Sequence, residues 1–134
     1  MIIDASVAAH WFAENEFSEP AAPYRRQLNL IGPGFLVVET ANVLYKQSRA
    51  GKIEREFCAQ SVEELELLLS EIVPDRQLLP AALELALEWQ HPVYDCLYIA
   101  LSLERRDLIV TADRKLAALA AKVGAGADLI TATR

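Results

Sequence analysis

The sequence predicts an α/β fold with three layers, in which a central, mostly parallel sheet is flanked by helices. Short apolar runs at Met1–Asp4, Ile72–Val73 and Leu108–Thr111 have the length of buried strands. Longer amphipathic stretches separate these runs, and strands that alternate with helices form parallel sheets covered on both faces. The chain has 134 residues and is 53% hydrophobic. This predicts one domain, residues 1–134, that buries roughly two-thirds of the surface its unfolded chain exposes.

The first half of the chain is predicted to hold one strand and four helices. The strand is Met1–Asp4, and Ser6 is a good N-cap for a short helix that runs through Phe12. The sequence Gly32–Gly34, with proline at its centre, predicts a break between two helices, and Gly51 predicts the end of the next one. The other predicted helices are Tyr24–Leu30, Phe35–Arg49 and Ile53–Leu69.

The second half alternates strands with helices. Ile72–Val73, before Pro74, is a predicted strand, and Leu108–Thr111 is another. Leu129–Ile130 is predicted to add an edge strand. The connections between parallel strands are taken as right-handed. The predicted helices are Pro80–Trp89, Tyr94–Glu104 and Asp113–Val123.

Charge and composition limit the classes of function. The formal charge is −6 and the pI about 4.9, so any binding to nucleic acid must depend on local basic patches. Cys58 and Cys96 lack CxxC spacing and are predicted to be reduced packing thiols. No signal-peptide pattern and no apolar stretch of about 18 residues is present, so a cytoplasmic protein that does not span a membrane is expected.

Four acidic residues beside apolar segments predict a metal site. Buried carboxylates are costly unless something stabilises their charge, and a divalent cation with oxygen ligands does so. Functional groups of parallel sheets gather at the carboxyl ends of the strands, where two of these acids would lie. The four residues are Asp4, Glu39, Asp95 and Asp113.

Each acid also has an ordinary explanation. Asp113 precedes Arg114 where an N-cap is expected, and Asp95 begins a helix whose dipole favours a carboxylate. Glu39 shares one helix face with Asn42 and Lys46, which is also the pattern of a solvated stripe. It is the set of four that favours a metal site over these separate explanations.

Four motifs surround these acids in order. Written with h for a hydrophobic residue, they are hhDaS, ExxNxL, xxDxxYhALA and lvTaDrkl. They correspond to Ile2–Ser6, Glu39–Leu44, Val93–Leu101 and Ile109–Leu116. In these motifs the sequence resembles the PIN domain family, and within it the VapC-type ribonuclease toxins of toxin–antitoxin pairs. The resemblance covers nearly the whole chain and implies the PIN-like three-layer fold.

The resemblance implies a metal-dependent endoribonuclease in which Asp4, Glu39, Asp95 and Asp113 bind one or two Mg²⁺ or Mn²⁺ ions. Mg²⁺ retains waters that can be activated to attack a phosphodiester. Ser6 and Thr111 resemble hydroxyl positions near the family site and could hold a water there, although capping and strand-end bonding explain them equally well. Two departures are found: Ser102–Asp107 replaces the usual Ala-x-x-x-Gly, and a fifth acid after Asp113 is absent, which leaves a second metal ion in doubt.

The remaining polar residues are assigned by their position. Basic residues that adjoin the acids, Arg114, Lys115 and Lys46, are the candidates for binding RNA phosphates, and Asn42 is a candidate for supporting the site. His10 and His91 lack ligand spacing. The two histidines are predicted to be structural, as are Trp11 and Trp89.

The resemblance also implies partners, and other functions stay open. The resemblance implies a homodimer that is held inactive by a small antitoxin, whose basic tail lies across the acids. An apolar surface at Tyr45, Ile53 and Phe57 would suit such a partner, unless these side chains belong to the core.

The alternative function is a catalytically silent PIN-like module that binds RNA or protein. An aspartyl-phosphate hydrolase that uses Asp4 as nucleophile requires a second acid two residues later, and that position is Ser6. Single-stranded DNA is an alternative substrate for the four-acid site.

Overall fold

The computed structural model describes residues 1–133. Its centre is a sheet of five strands, all parallel, in the order β3-β2-β1-β4-β5. The strands β1 to β5 are Ile2–Ile3, Ile31–Pro33, Glu71–Val73, Ile109–Thr111 and Ala127–Leu129. The predicted α/β class with a parallel central sheet is therefore confirmed.

Seven helices within the described residues flank this sheet. The helices α1 to α7 are Ala5–Ala8, Ser18–Arg25, Gly34–Arg49, Arg55–Leu68, Asp75–Trp89, Val93–Arg105 and Arg114–Val123, and a 3₁₀ turn, Ala9–Trp11, extends α1. None of them is both long and apolar enough to cross a bilayer.

The core centres on β1 and β4, which are neighbours in the sheet. Ile2 pairs with Ile109 and Ile3 with Val110, and none of these four side chains is exposed. Helix α6 packs against them with Cys96–Ser102 fully or almost fully buried. Because both strands run in the same direction, the residues that follow them, at the starts of α1 and α7, lie at one edge of the sheet.

One strand is missing from the sequence-based prediction. The predicted break at Gly32–Gly34 is wrong, since β2 pairs with both β1 and β3 in this segment. Gly32 serves close packing here: a Cβ atom at this position would lie 2.5 Å from Leu36 Cδ2. Pro33 then caps α3 in an extended conformation. A glycine and a proline that resemble a turn thus belong to a buried strand.

Three helix boundaries also need correction. Helix α2 starts at Ser18 and ends at Arg25, before most of the predicted Tyr24–Leu30. Helix α5 starts at Asp75, so Pro80, the predicted start, lies inside it. Ser6 is an interior residue of α1, whose N-cap position is Asp4. The edge strand begins two residues before the predicted Leu129–Ile130.

Candidate active site

Asp4 lies at the carboxyl end of β1, almost completely buried. Ser6 Oγ donates a 2.6 Å hydrogen bond to Asp4 Oδ1, and Thr111 Oγ1 donates a 2.5 Å bond to Asp4 Oδ2. Both hydroxyls also accept a hydrogen bond from the backbone, from Ala112 N at 2.7 Å and from Asp113 N at 2.9 Å. Since each hydroxyl accepts from an amide, its own proton is directed to the carboxylate. Asp4 is thereby fixed in orientation by hydroxyls from α1 and β4, and the backbone that follows β4 holds those hydroxyls in place.

Burial dominates the ionisation of Asp4. It raises the pKa from 3.8 to about 7, against the hydrogen bonds from Ser6 and Thr111, which favour the charged form. The negative charges of Glu39 and Asp113 raise the pKa further. Asp4, Glu39 and Asp113 form no salt bridge within residues 1–133. Within residues 1–133, the charge of these three acids is therefore not neutralised by a direct ion pair with a lysine or arginine.

Glu39 lies in the second turn of α3 and is partly buried. Its Oε1 accepts a 2.8 Å hydrogen bond from the hydroxyl of Tyr98, a side chain that is 1% exposed. Burial raises the pKa of Glu39, the Tyr98 bond lowers it, and the charges of Asp95 and Asp113 raise it. Burial and the nearby acids also hold the pKa of Tyr98 well above its usual value, so its hydroxyl remains a donor.

Asp95 and Asp113 each begin a helix. Asp95 lies in the first turn of α6, and its Oδ2 is 2.7 Å from His91 Nε2, one turn earlier in the chain. Asp113 is the N-cap of α7, where Oδ1 accepts hydrogen bonds from the backbone N–H groups of Lys115 at 2.8 Å and Leu116 at 3.3 Å. The capping explanation of Asp113 is thus correct, and its second oxygen, Oδ2, accepts no hydrogen bond within residues 1–133.

The four acids influence each other but do not form a closed cage of ligands. Charge coupling joins Asp4 to Glu39 and Asp113, and Glu39 to Asp95 and Asp113. Within residues 1–133, no group of three or more His, Cys, Asp or Glu side chains is placed to hold one metal ion. Mg²⁺ usually keeps several waters and binds through one or two carboxylates together with substrate phosphates. The donor set and its unbalanced charge fit such a water-rich site, and do not fit an all-protein cage.

The other candidate residues differ in whether they contact the acids. Ser6 and Thr111 contact Asp4 directly. Arg114 and Lys115 are exposed in the first turn of α7, immediately after Asp113. Asn42 and Lys46 are exposed along α3, and Asn42 forms no hydrogen bond to an acid within residues 1–133. The structure therefore joins the two hydroxyls to the acids and gives no such contact for Asn42.

Two residues of the site were not recognised in the sequence. His91, predicted to be merely structural, contacts Asp95, and the i, i+4 spacing of the pair was a signal for this contact. Tyr98 lies in the third motif but has no predicted role, because its hydrogen bond to Glu39 joins residues 59 positions apart and only the folded structure shows it.

Comparison with known proteins identifies the family. A family model described as PIN domain matches residues 1–122. The chain belongs to the PIN domain family. PIN domains are commonly nucleases, and they typically use divalent metal ions.

A solved structure supports the same fold. The crystal structure of PAE2754 from Pyrobaculum aerophilum aligns with this PIN domain at a TM-score of 0.65 and 23% sequence identity. The alignment covers 88% of this chain and 77% of that chain, and at this identity it shows a shared fold. No curated protein is similar enough to count as a match.

Proposed function

We propose that this PIN domain is a VapC-like, Mg²⁺- or Mn²⁺-dependent endoribonuclease that hydrolyses RNA phosphodiester bonds. The observation that carries the proposal is buried Asp4, whose pKa is raised to about 7 by burial and by the charges of Glu39 and Asp113, none of the three having an ion-pair partner within residues 1–133. Groups whose pKa is strongly shifted by burial and by neighbouring charges cluster at functional sites. A divalent cation is the ligand that carboxylate oxygens in this environment suit best.

Asp4, Glu39, Asp95 and Asp113 would hold the metal, with waters and an RNA phosphate completing its coordination. When bound, the ion would supply an activated water and would offset charge on the phosphate. The protein's own contribution is to fix the orientation of the acids that would bind the metal. Ser6 and Thr111 orient both oxygens of Asp4, Tyr98 orients Glu39, and His91 orients Asp95.

RNA would reach the acids along the exposed basic side chains next to them. Arg114 and Lys115 follow Asp113 directly, and Lys46 lies two turns along α3 from Glu39. In a chain with a formal charge of −6, these local cations offset the repulsion between the acids and the phosphates.

The partners proposed with this activity are a second copy of the chain and a small inhibitory antitoxin. Tyr45 on α3 and Phe57 on α4 are 54% and 50% exposed, and Ile53 between the helices is partly exposed. This apolar surface, together with an acid cluster that attracts arginine or lysine, supports the proposal of a protein partner with a basic tail.

One observation favours a second candidate, a catalytically silent PIN-like module that binds RNA or protein. It is the lack, within residues 1–133, of three acids already grouped around one point. Cleavage mapping on total cellular RNA, with Mg²⁺ or with EDTA, separates the candidates. The nuclease cuts at defined positions only with the metal. Equal cutting in EDTA would overturn the metal-dependent mechanism, and no cutting in either condition would favour the silent module.

A further inference from the structure

A cleft of about 230 Å³ lies beside α7. It lies between the end of α5, the loop that leads into α6, and one face of α7. The residues that line it are Trp89, His91, Lys115, Ala118, Leu119 and Lys122.

Two contacts connect this cleft to the acids. His91, on one wall, bonds to Asp95 through Nε2. Lys115, on the other wall, donates its backbone N–H to Asp113. Neither acid lines the cleft, but two residues that line it contact Asp95 and Asp113, which places the cleft next to these two acids.

The charged groups of the cleft are cationic. Lys115 and Lys122 are both exposed, and neither forms a salt bridge within residues 1–133. They are seven residues apart, which is two turns and about 10 Å along α7. Two lysines without an acidic partner, in a chain with an excess of acids, favour an anionic ligand over the basic tail of an inhibitor.

The aromatic group of the cleft is Trp89. It is the last residue of α5 and is 38% exposed. Within residues 1–133 its ring stacks on no other aromatic ring. Exposed aromatic rings beside lysines are the usual means of binding single-stranded nucleic acid, because every base can stack on such a ring.

We propose that this cleft is a nucleotide subsite: an RNA strand whose phosphate lies at the acids stacks a neighbouring base on Trp89 and places adjoining phosphates near Lys115 and Lys122. The inference rests on the proposed function and names where the substrate continues beyond the acids. Trp89 and Lys122 act as positioning residues, and they take no part in the chemical step. Base-paired RNA should bind less well, because its bases are already stacked.

Binding is tested apart from cleavage, in the full chain with Asp4→Asn, by the fluorescence anisotropy of a labelled single-stranded RNA in Mg²⁺. Adding Trp89→Ala should weaken binding about tenfold. Adding Lys122→Ala should weaken it and reduce the slope of log K against log salt by about 0.7. Leu87→Ala, which removes an exposed apolar side chain from the same helix, and Lys52→Ala, beyond the end of α3, are matched controls that should leave binding unchanged.

Two further readouts identify stacking. RNA should quench tryptophan emission in the Asp4→Asn protein, and Trp89→Phe should abolish the quenching although Trp11 remains. An RNA that lacks one base should lose the same factor in affinity as Trp89→Ala, and the two changes together should lose no more than either alone.

The outcomes distinguish this inference from the proposed function. If wild type cleaves RNA but Trp89→Ala and Lys122→Ala bind it as tightly as their parent, the subsite is overturned and the nuclease stands. If wild type cleaves nothing but the quenching and the non-additive losses are observed, the subsite stands and the nuclease is overturned. Additive losses from base and indole removal would overturn stacking on Trp89.

Discussion

The hydroxyl of Tyr98 donates a 2.8 Å hydrogen bond to Glu39 Oε1 and so joins α6 to α3 across the acid cluster. The two residues come from different motifs, 59 positions apart in the chain. Tyr98 is almost fully buried while Glu39 is only partly buried, so the donor is held by the core and the carboxylate remains partly exposed to solvent. The position of an acid in the site thus depends on the packing of the core.

Tyr98→Phe should change the pH dependence of cleavage. The hydrogen bond favours the charged form of Glu39, so its loss raises a pKa that burial has already raised. If ionised Glu39 is needed, the acidic limb of the pH–rate profile moves to higher pH and most of the activity returns at pH 8 to 9. Unfolding in urea should show a loss of about 1 kcal/mol. A uniform loss of activity at every pH would contradict this role.

The acid cluster could be anticipated from the sequence because strand ends and helix starts are local features. Apolar runs followed by Asp4 and Asp113 place both residues at the same edge of a parallel sheet. The hydrogen bonds that hold Asp4 and Glu39 come from residues far away in the sequence. The bond from Thr111 to Asp4 spans 107 positions, and no periodicity encodes it.

The missing strand has a similar cause. Strand β2 has only three residues, of which Gly32 and Pro33 are ordinarily turn formers, so its pattern is that of a break. Pairing with β1 and β3 and close contact with Leu36 make it a strand. Tertiary contacts therefore override the local preference. The same applies to Pro80, which predicts the start of a helix but lies inside α5.

Asp4→Asn should reduce Mg²⁺-dependent RNA cleavage by at least about 100-fold while the fold survives. The amide keeps the shape of the carboxylate but loses its charge and one ligand oxygen. Asp95→Asn should have a similar effect. Glu66→Gln, an equivalent change at an exposed position of α4, is the matched control and should retain full activity. Cleavage by Asp4→Asn at the rate of this control would exclude Asp4 from the site.

Asp4→Asn should also stabilise the metal-free protein, and more so at high pH. The folded-state pKa of Asp4 is about 7 against 3.8 ordinarily, so between these values the folded chain binds a proton that the unfolded chain has lost. Stability therefore falls as pH rises through this window, by on the order of 4 kcal/mol once pH exceeds 7. Asp4→Asn has no carboxyl group at this position, so its stability should not fall in this way as pH rises.

The measurement is urea unfolding in EDTA from pH 4 to pH 8. Wild type and Asp4→Asn should be similar at pH 4 and separate towards pH 8, and Mg²⁺ should narrow the gap at pH 8 by binding wild type more strongly. A gap that does not change with pH would contradict the assignment. Asp95→Asn is a poorer test, because it also removes the partner of His91.

Arg114→Ala and Lys115→Ala should each weaken RNA binding and make it less sensitive to salt. One phosphate contact on a single strand contributes about 0.7 to the slope of log K against log salt, so each variant should lose about that amount. Both side chains are exposed, and so the melting temperature should hardly change. Lys52→Ala is the control. Equal salt slopes in all three variants and wild type would place the phosphate contacts elsewhere.

The protein should form a dimer of about twice 14.9 kDa in light scattering, and a small protein with a basic tail should inhibit it. Burial of the exposed Tyr45 and Phe57 would favour such contacts, so Phe57→Ser should weaken an assembly that uses this surface. Exposed Leu67, farther along α4, is the matched site for a Leu67→Ser control. Inhibition should depend on the tail's arginine or lysine residues, which would lie among the acids. A monomer at concentrations where the protein cleaves RNA would refute the dimer, and inhibition that survives removal of the tail's basic residues would refute the mode of inhibition.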